Sequence, residues 1–137
     1  MLTNRKARFN YNILGTMEAG ISLFGSEVKS IRNGMGDIVG SHVMIDGFNV
    51  WIVNMLIPKY QYSETKLDTR RNRRLLLKKK QIRSLIGKTK ERGVTIIPLK
   101  VYFVRGFAKV EIGIAQGKNK FDKRQTIKER DKRRYGD

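Results

Sequence analysis

Arg70, Arg71, Arg73 and Arg74 put four guanidinium groups into five residues, and Lys78, Lys79 and Lys80 follow within the next six. Groups of this kind at this density bind phosphate, arginine as a planar fork and lysine as a point charge. A further cluster, Asn4-Arg5-Lys6-Ala7-Arg8, opens the chain, and nine Lys or Arg stand among the 21 residues from Gly117 to Asp137. Thirty Lys and Arg against twelve Asp and Glu give a formal net charge of +18 over 137 residues. Such a balance repels itself unless a polyanion neutralises it, so nucleic acid is the partner it selects. A membrane surface is disfavoured, because the cations sit in loops, short helices and a tail rather than on a long helix with a strong apolar face.

Catalytic chemistry finds little to work with. There is no cysteine, so disulfides, thiolate metal sites and a cysteine nucleophile are excluded, and the single histidine, His42, cannot make a metal cluster. Alternation in Ser41-His42-Val43-Met44-Ile45 makes His42 a surface or packed strand residue. Glu18, Glu27 and Glu111 are the carboxylates a nuclease would recruit, but no pair of them has motif spacing. Gly34, Gly36 and Gly40 lack the Lys-Ser/Thr of a nucleotide-binding loop. Neither an enzyme nor a cofactor or metal is expected. No apolar run approaches the ~18 residues of a membrane span, and the N-terminus lacks a signal-peptide core, which implies a reducing, cytoplasmic compartment.

The elements that must carry these charges can be read from periodicity. Ile21 and Leu23 alternate with Gly20 and Ser22 as a strand does, and Gly25 breaks it. Ser26 is the expected N-cap of a short helix with Glu27 in its first turn, Val28 and Ile31 on one face, and Asn33-Gly34 as the stop. This strand and helix should form the closing edge of a small barrel. His42 to Ile45 and Phe48 to Leu56 flank Asp46-Gly47, a hairpin signal. Residues 58 to 73 read as a long loop. Leu75-Leu76-Leu77 cannot all point inward from one element, so at least one is exposed. Gln81 to Arg92 reads as a helix through Ile82, Leu85, Ile86 and Thr89, and Val94 to Val104 with Phe107 to Ala115 as a second hairpin around Arg105-Gly106. The fold class is therefore mainly β with peripheral α-helices, a small OB-like antiparallel barrel of about six strands over residues 1–116. In the arm, Tyr11 is expected to pin the chain to the core, while Phe9 suits either pinning or base stacking. Residues 117–137 have too little apolar surface to offset ordering and should be disordered when free, with Asp122, Gln125, Glu129 and Arg133 spaced for a helix once a polyanion is bound.

From Asn4 to Asp131 the chain resembles the SsrA-binding (small protein B) family. The resemblance rests on Asn4-Arg5-Lys6-Ala7-Arg8, Glu18-Ala19-Gly20-Ile21, the run from Gly25 to Arg32, Arg73-Arg74-Leu75-Leu76-Leu77, Ile97-Pro98-Leu99, Lys109-Val110-Glu111-Ile112-Gly113 and Asp122-Lys123-Arg124. It implies an OB-like protein, without catalysis and acting as a monomer, that cups the tRNA-like domain of transfer-messenger RNA and delivers it to ribosomes stalled on broken messages. Asn4, Glu18 and Leu76 then correspond to positions that support the RNA interface, joined by the cations Arg5, Lys6, Arg8, Arg70, Arg71, Arg73, Arg74 and Lys78. Gly117, Lys118, Asp122, Lys123, Arg124, Lys128 and Arg130 fall in the tail that would enter the empty messenger channel beside small-subunit ribosomal RNA. Glu18 cannot attract phosphate. It either accepts a hydrogen bond from RNA or pairs with an arm residue such as Arg5 or Arg8.

Some positions depart from the family pattern. Phe9 stands where a histidine is usual, Asp68-Thr69 replaces Asp-Pro, and Gln116 and Asn119 remove two lysines near the start of the tail, which ends soon after Tyr135. A basic structural ribosomal protein is the alternative that shares the barrel and tail. The resemblance further predicts that the amino-terminal arm and the arginine cluster flank one concave wall.

Overall fold

The computed structural model describes residues 1–61 and 66–118. Seven strands form one antiparallel sheet in the order β1-β6-β7-β2-β5-β4-β3. They are β1 (Leu2–Thr3), β2 (Tyr11–Ile21), β3 (His42–Asp46), β4 (Asn49–Val53), β5 (Arg73–Leu76), β6 (Val94–Val104) and β7 (Phe107–Gly117). Three helices lie at the periphery: α1 (Ala7–Asn10), α2 (Gly25–Arg32) and α3 (Lys79–Lys88). The sheet curls until β3 comes back against β6, yet β3 and β6 are not hydrogen-bonded neighbours. The result is an OB-like fold whose barrel stays partly open, as the sequence reading expected.

The strand read around Ile21 is longer and more central than its local pattern shows. β2 begins at Tyr11 and lies between β7 and β5, not at a closing edge. Ala19 and Ile21 face the core, and the N-cap of the helix that follows is Phe24 rather than Ser26. The Phe24 N–H donates to Glu27 Oε1 at 2.9 Å, so the carboxylate three residues on caps the first turn.

Both hairpins are present, and the physics of their turns differs. Arg105 and Gly106 both take positive φ, 50° and 83°, the primed turn that matches strand twist. In the other hairpin Asp46 pairs with Asn49, so the turn residues are Gly47 and Phe48, one position later than the sequence signal. Only Gly47 takes positive φ there. β4 stops at Val53, and α3 runs Lys79–Lys88, earlier than the predicted helix: Gln81 Oε1 accepts from the Lys78 N–H at 2.9 Å at its start, and Thr89 Oγ1 donates to Leu85 O at 2.9 Å at its end.

Sequence reading missed two strands, the two-residue β1 in the arm and β5, a four-residue element inside the arginine run. The main core, with Ile31, Ile52, Met55, Leu85, Val110 and Ile112 among its members, fills the curl of the sheet. The arm is structured as well: β1 pairs with β6, and α1 lays Ala7 over Ile97, Leu99 and Ala115. Tyr11 packs on that smaller cluster, as expected of a pinning residue. Pro98 lies where the β6–β7 register shifts, a bulge that accommodates its missing N–H. No helix among the described residues is long and apolar enough to cross a membrane.

Candidate nucleic-acid interface

Because strand side chains alternate, burial of Ala19 and Ile21 sends Glu18 and Gly20 to the outer face of the sheet. Gly20 pairs with Lys109 on one side and Leu76 on the other, and Lys109 pairs with Tyr102. One row across β6, β7, β2 and β5 therefore presents a phenol, an ammonium, bare backbone and an isobutyl group. Leu76 is 55% exposed while Leu75 is buried, so the leucine triplet resolves as its spacing required. A Cβ on Gly20 would stand 3.2 Å from Leu76 Cβ, tighter than an ordinary contact, so glycine lets the leucine lie across the strand.

Glu18 is exposed one step along the same strand, facing Glu111 on β7. The Tyr102 hydroxyl donates to Glu18 Oε2 at 2.5 Å. Ion pairs between described residues are made only by Glu27, so the alternative pairing of Glu18 with Arg5 or Arg8 is not formed. Burial, the Glu18 hydrogen bond and the negative charges of Glu18 and Glu111 push the Tyr102 hydroxyl up to about 12. It remains a donor throughout the physiological range.

The arginine cluster divides in two. Arg73 is fully buried, which removes it from the phosphate-binding set expected from sequence. Its Nε donates to Glu27 Oε2 at 2.7 Å, and its Nη1 and Nη2 donate to the carbonyls of Met55 and Thr69 at 2.6 and 3.1 Å. Arg71 donates to Glu27 Oε1 at 2.5 Å and stacks over the Phe24 ring, 4.8 Å from its centroid. Burial alone would raise the Glu27 carboxyl, but hydrogen bonds from Arg71, the Phe24 N–H and Arg73 hold it below its usual range. Burial lowers the Arg73 pKa while Glu27 opposes that shift, and the guanidinium stays charged. Arg70 and Arg74 point outward, Arg70 donating to Asn54 Oδ1 at 3.1 Å and Arg74 to Asn49 Oδ1 at 2.8 Å. Lys78 is exposed beside them. Consecutive arginines look equivalent in sequence, but β5 turns Arg73 and Leu75 in and Arg74 and Leu76 out.

At the arm, Asn4 Nδ2 donates to Pro98 O at 3.0 Å and its backbone N–H to Leu99 O at 2.9 Å. Asn4 is thereby a pin that holds Arg5, Lys6 and Arg8 out in solvent. Asn4, Lys6, Asn10, Tyr11, His42 and Thr95 are among the residues that line a groove of about 400 Å³. Phe9 borders a second depression with Arg5, Lys6 and Asn10. No arginine of the 70–74 cluster lines either depression. The arm belongs to the β1–β6 end of the sheet and the cluster to β5, three strands along from β6.

The chain leaves the sheet beside the arm. Gly117 is still in β7, paired with Tyr11, one residue past the expected domain boundary. Its N–H donates to Gly93 O at 3.2 Å, and the Lys118 N–H donates to Asn10 O at 3.1 Å. Asp122, Lys123, Arg124, Lys128 and Arg130 lie outside the described residues.

Sequence reading missed Tyr102, although its place in the Leu99, Val101, Phe103 alternation marked it as outward. It also missed Phe48, exposed at the first hairpin tip with Lys79 and Arg83 over its ring at 5.7 and 5.6 Å. A basic OB-like protein with cations, exposed aromatics and an acceptor carboxylate on its outer surfaces is the class that this fold and site define. The comparisons with known proteins take the assignment further. A family model described as SmpB protein matches residues 1–137. The SsrA-binding protein of Trichodesmium erythraeum (strain IMS101) is 49% identical over 133 residues, covering 96% of this chain and 85% of the relative. That of Elusimicrobium minutum (strain Pei191) is 52% identical over 130 residues, covering 94% and 83%. A solved structure described as "tmRNA-SmpB: a journey to the center of the bacterial ribosome" matches with a TM-score of 0.74 and 43% identity, covering 91% of this chain and 92% of the other. The chain belongs to the SmpB protein family.

Proposed function

We propose that this chain binds the tRNA-like domain of transfer-messenger RNA and delivers it to stalled ribosomes for trans-translation, with the cytoplasm as its place of action. The SsrA-binding relatives and the ribosome-associated tmRNA-SmpB structure support this reading over that of a structural ribosomal protein. It is a function of binding and delivery rather than of catalysis. The observation that carries it in the site is Leu76, an exposed leucine laid on Gly20 beside Glu18 and Arg74 in a chain of charge +18. RNA loops present unstacked bases and sugars that such an apolar platform can cover, while the surrounding cations take the phosphates.

Arg70, Arg74 and Lys78 supply phosphate contacts at this face, and Arg5, Lys6 and Arg8 do so at the arm. The tail, with Gly117 and Lys118 at its root and Asp122, Lys123, Arg124, Lys128 and Arg130 along it, probes the messenger channel and decoding centre against small-subunit ribosomal RNA. Titration of a tRNA-like transcript at fixed salt tests the first half. Leu76→Ala should weaken binding about tenfold, a loss of ~1.4 kcal/mol, and equal affinity of the wild type for an unrelated hairpin at physiological salt would count against the reading.

A further inference from the structure

Glu18 poses a problem that the overall charge makes sharper. It is an acidic side chain on the outer face of a chain of charge +18, and its cross-strand neighbour is a second carboxylate, Glu111. Like charges directly opposite one another weaken a strand pair, and a phosphate brought to this spot meets both. No Lys or Arg among the described residues comes within ion-pair distance of Glu18; Lys109 and Lys100 are the cross-strand partners of Gly20 and Glu111 instead. Among the described residues the side-chain partner of Glu18 is Tyr102, whose hydroxyl donates to Oε2.

An ionised carboxylate accepts hydrogen bonds and donates none. With Oε2 committed to the phenol, Oε1 is left as an acceptor next to the Leu76 platform. A phosphodiester has no proton to offer it. The RNA groups that do are the ribose 2′-hydroxyl and the amino and imino N–H groups of base edges. We infer that Tyr102 is a positioning residue of the RNA interface, which holds Glu18 so that Oε1 accepts from a donor on a splayed nucleotide resting on Leu76, while Glu18 and Glu111 together turn phosphate away. The inference rests on the reading of this face given above. It makes the spot a nucleotide reader set among phosphate-binding cations, and it assigns the selectivity to a phenol that does not itself touch RNA.

A double-mutant cycle in the full chain tests it, with Tyr102→Phe, Glu18→Ala and the double variant titrated against a transcript of the tRNA-like domain. Tyr102→Phe should weaken binding about five- to tenfold with no change in Tm, Glu18→Ala should weaken it at least as much, and the double variant should be no weaker than Glu18→Ala alone. The slope of log K against log salt should stay that of the wild type in all of them, because no phosphate contact is lost. Wild-type affinity for Tyr102→Phe, a loss that adds in full to that of Glu18→Ala, or a reduced salt slope would overturn the inference. Wild-type affinity for Glu18→Ala would instead remove the reading of this face on which the inference stands.

Discussion

At the scale of single residues, the sharpest division lies between neighbours in sequence. Arg73 is sealed in the interior against Glu27, and Arg74 stands in solvent. Removing one member of a buried ion pair leaves the other uncompensated, so Arg73→Met should cost about 3–5 kcal/mol of stability in urea unfolding. Arg74→Ala should leave stability within about 0.5 kcal/mol while lowering the salt slope of RNA binding by roughly one contact. Glu27 adds a pH dependence with a definite sign. Its carboxyl is held below the ordinary 4.5 in the folded chain, so the native state favours the ionised form. That stability is complete above pH 4.5 and is lost as the pH falls through the lowered native value, and unfolding followed from pH 7 to 3 should show this loss diminished in Glu27→Gln. Little of this was legible beforehand. Glu27 was readable as a first-turn charge, but its arginine partners are more than forty residues away in sequence, and no local pattern announces such a pair.

Among the elements, legibility followed the strength of the period. The β6–β7 hairpin was readable almost residue by residue, since long period-2 alternation flanks Arg105-Gly106 and only a primed turn joins such strands closely. Gly106→Val should therefore cost about 1–2 kcal/mol through its positive φ, visible as a lower denaturant midpoint with unchanged slope. β5 was hidden because one of its two inward residues is an arginine, which breaks the apolar pattern that marks a strand. The arm concealed its fold for a related reason: the small core under α1 is supplied mostly by β6 and β7, so the arm's own sequence shows little more than charge. The outward face followed from the triplet of leucines, but the role of Gly20 beneath Leu76 did not. Gly20→Val should displace Leu76 and weaken binding of the tRNA-like transcript about as much as Leu76→Ala, by ~1.4 kcal/mol.

Across the whole molecule, cations are distributed over separate regions held by one sheet: the β5 face with Arg74, Leu76 and Lys78, and the arm with Arg5, Lys6 and Arg8. Composition alone made a polyanion the partner, and the order of motifs identified the family, but neither could show how the regions are set apart. Ending the chain after Lys118 keeps every described strand and both terminal backbone hydrogen bonds. Such a variant should bind the free tRNA-like domain as the full chain does and fail to support peptide tagging on stalled ribosomes. Undiminished tagging would refute the decoding role of the tail. Ending it before Gly117 instead would remove the Gly117–Tyr11 pair and loosen the arm.

The bond from Lys118 to Asn10 has a geometric consequence. Lys118, the last described residue, is thereby tied to the end of the amino-terminal helix, so the root of the tail is anchored to the arm when the barrel folds. Loosening the arm would therefore also free the root of the tail, and the two ends of the chain share one anchorage on the sheet.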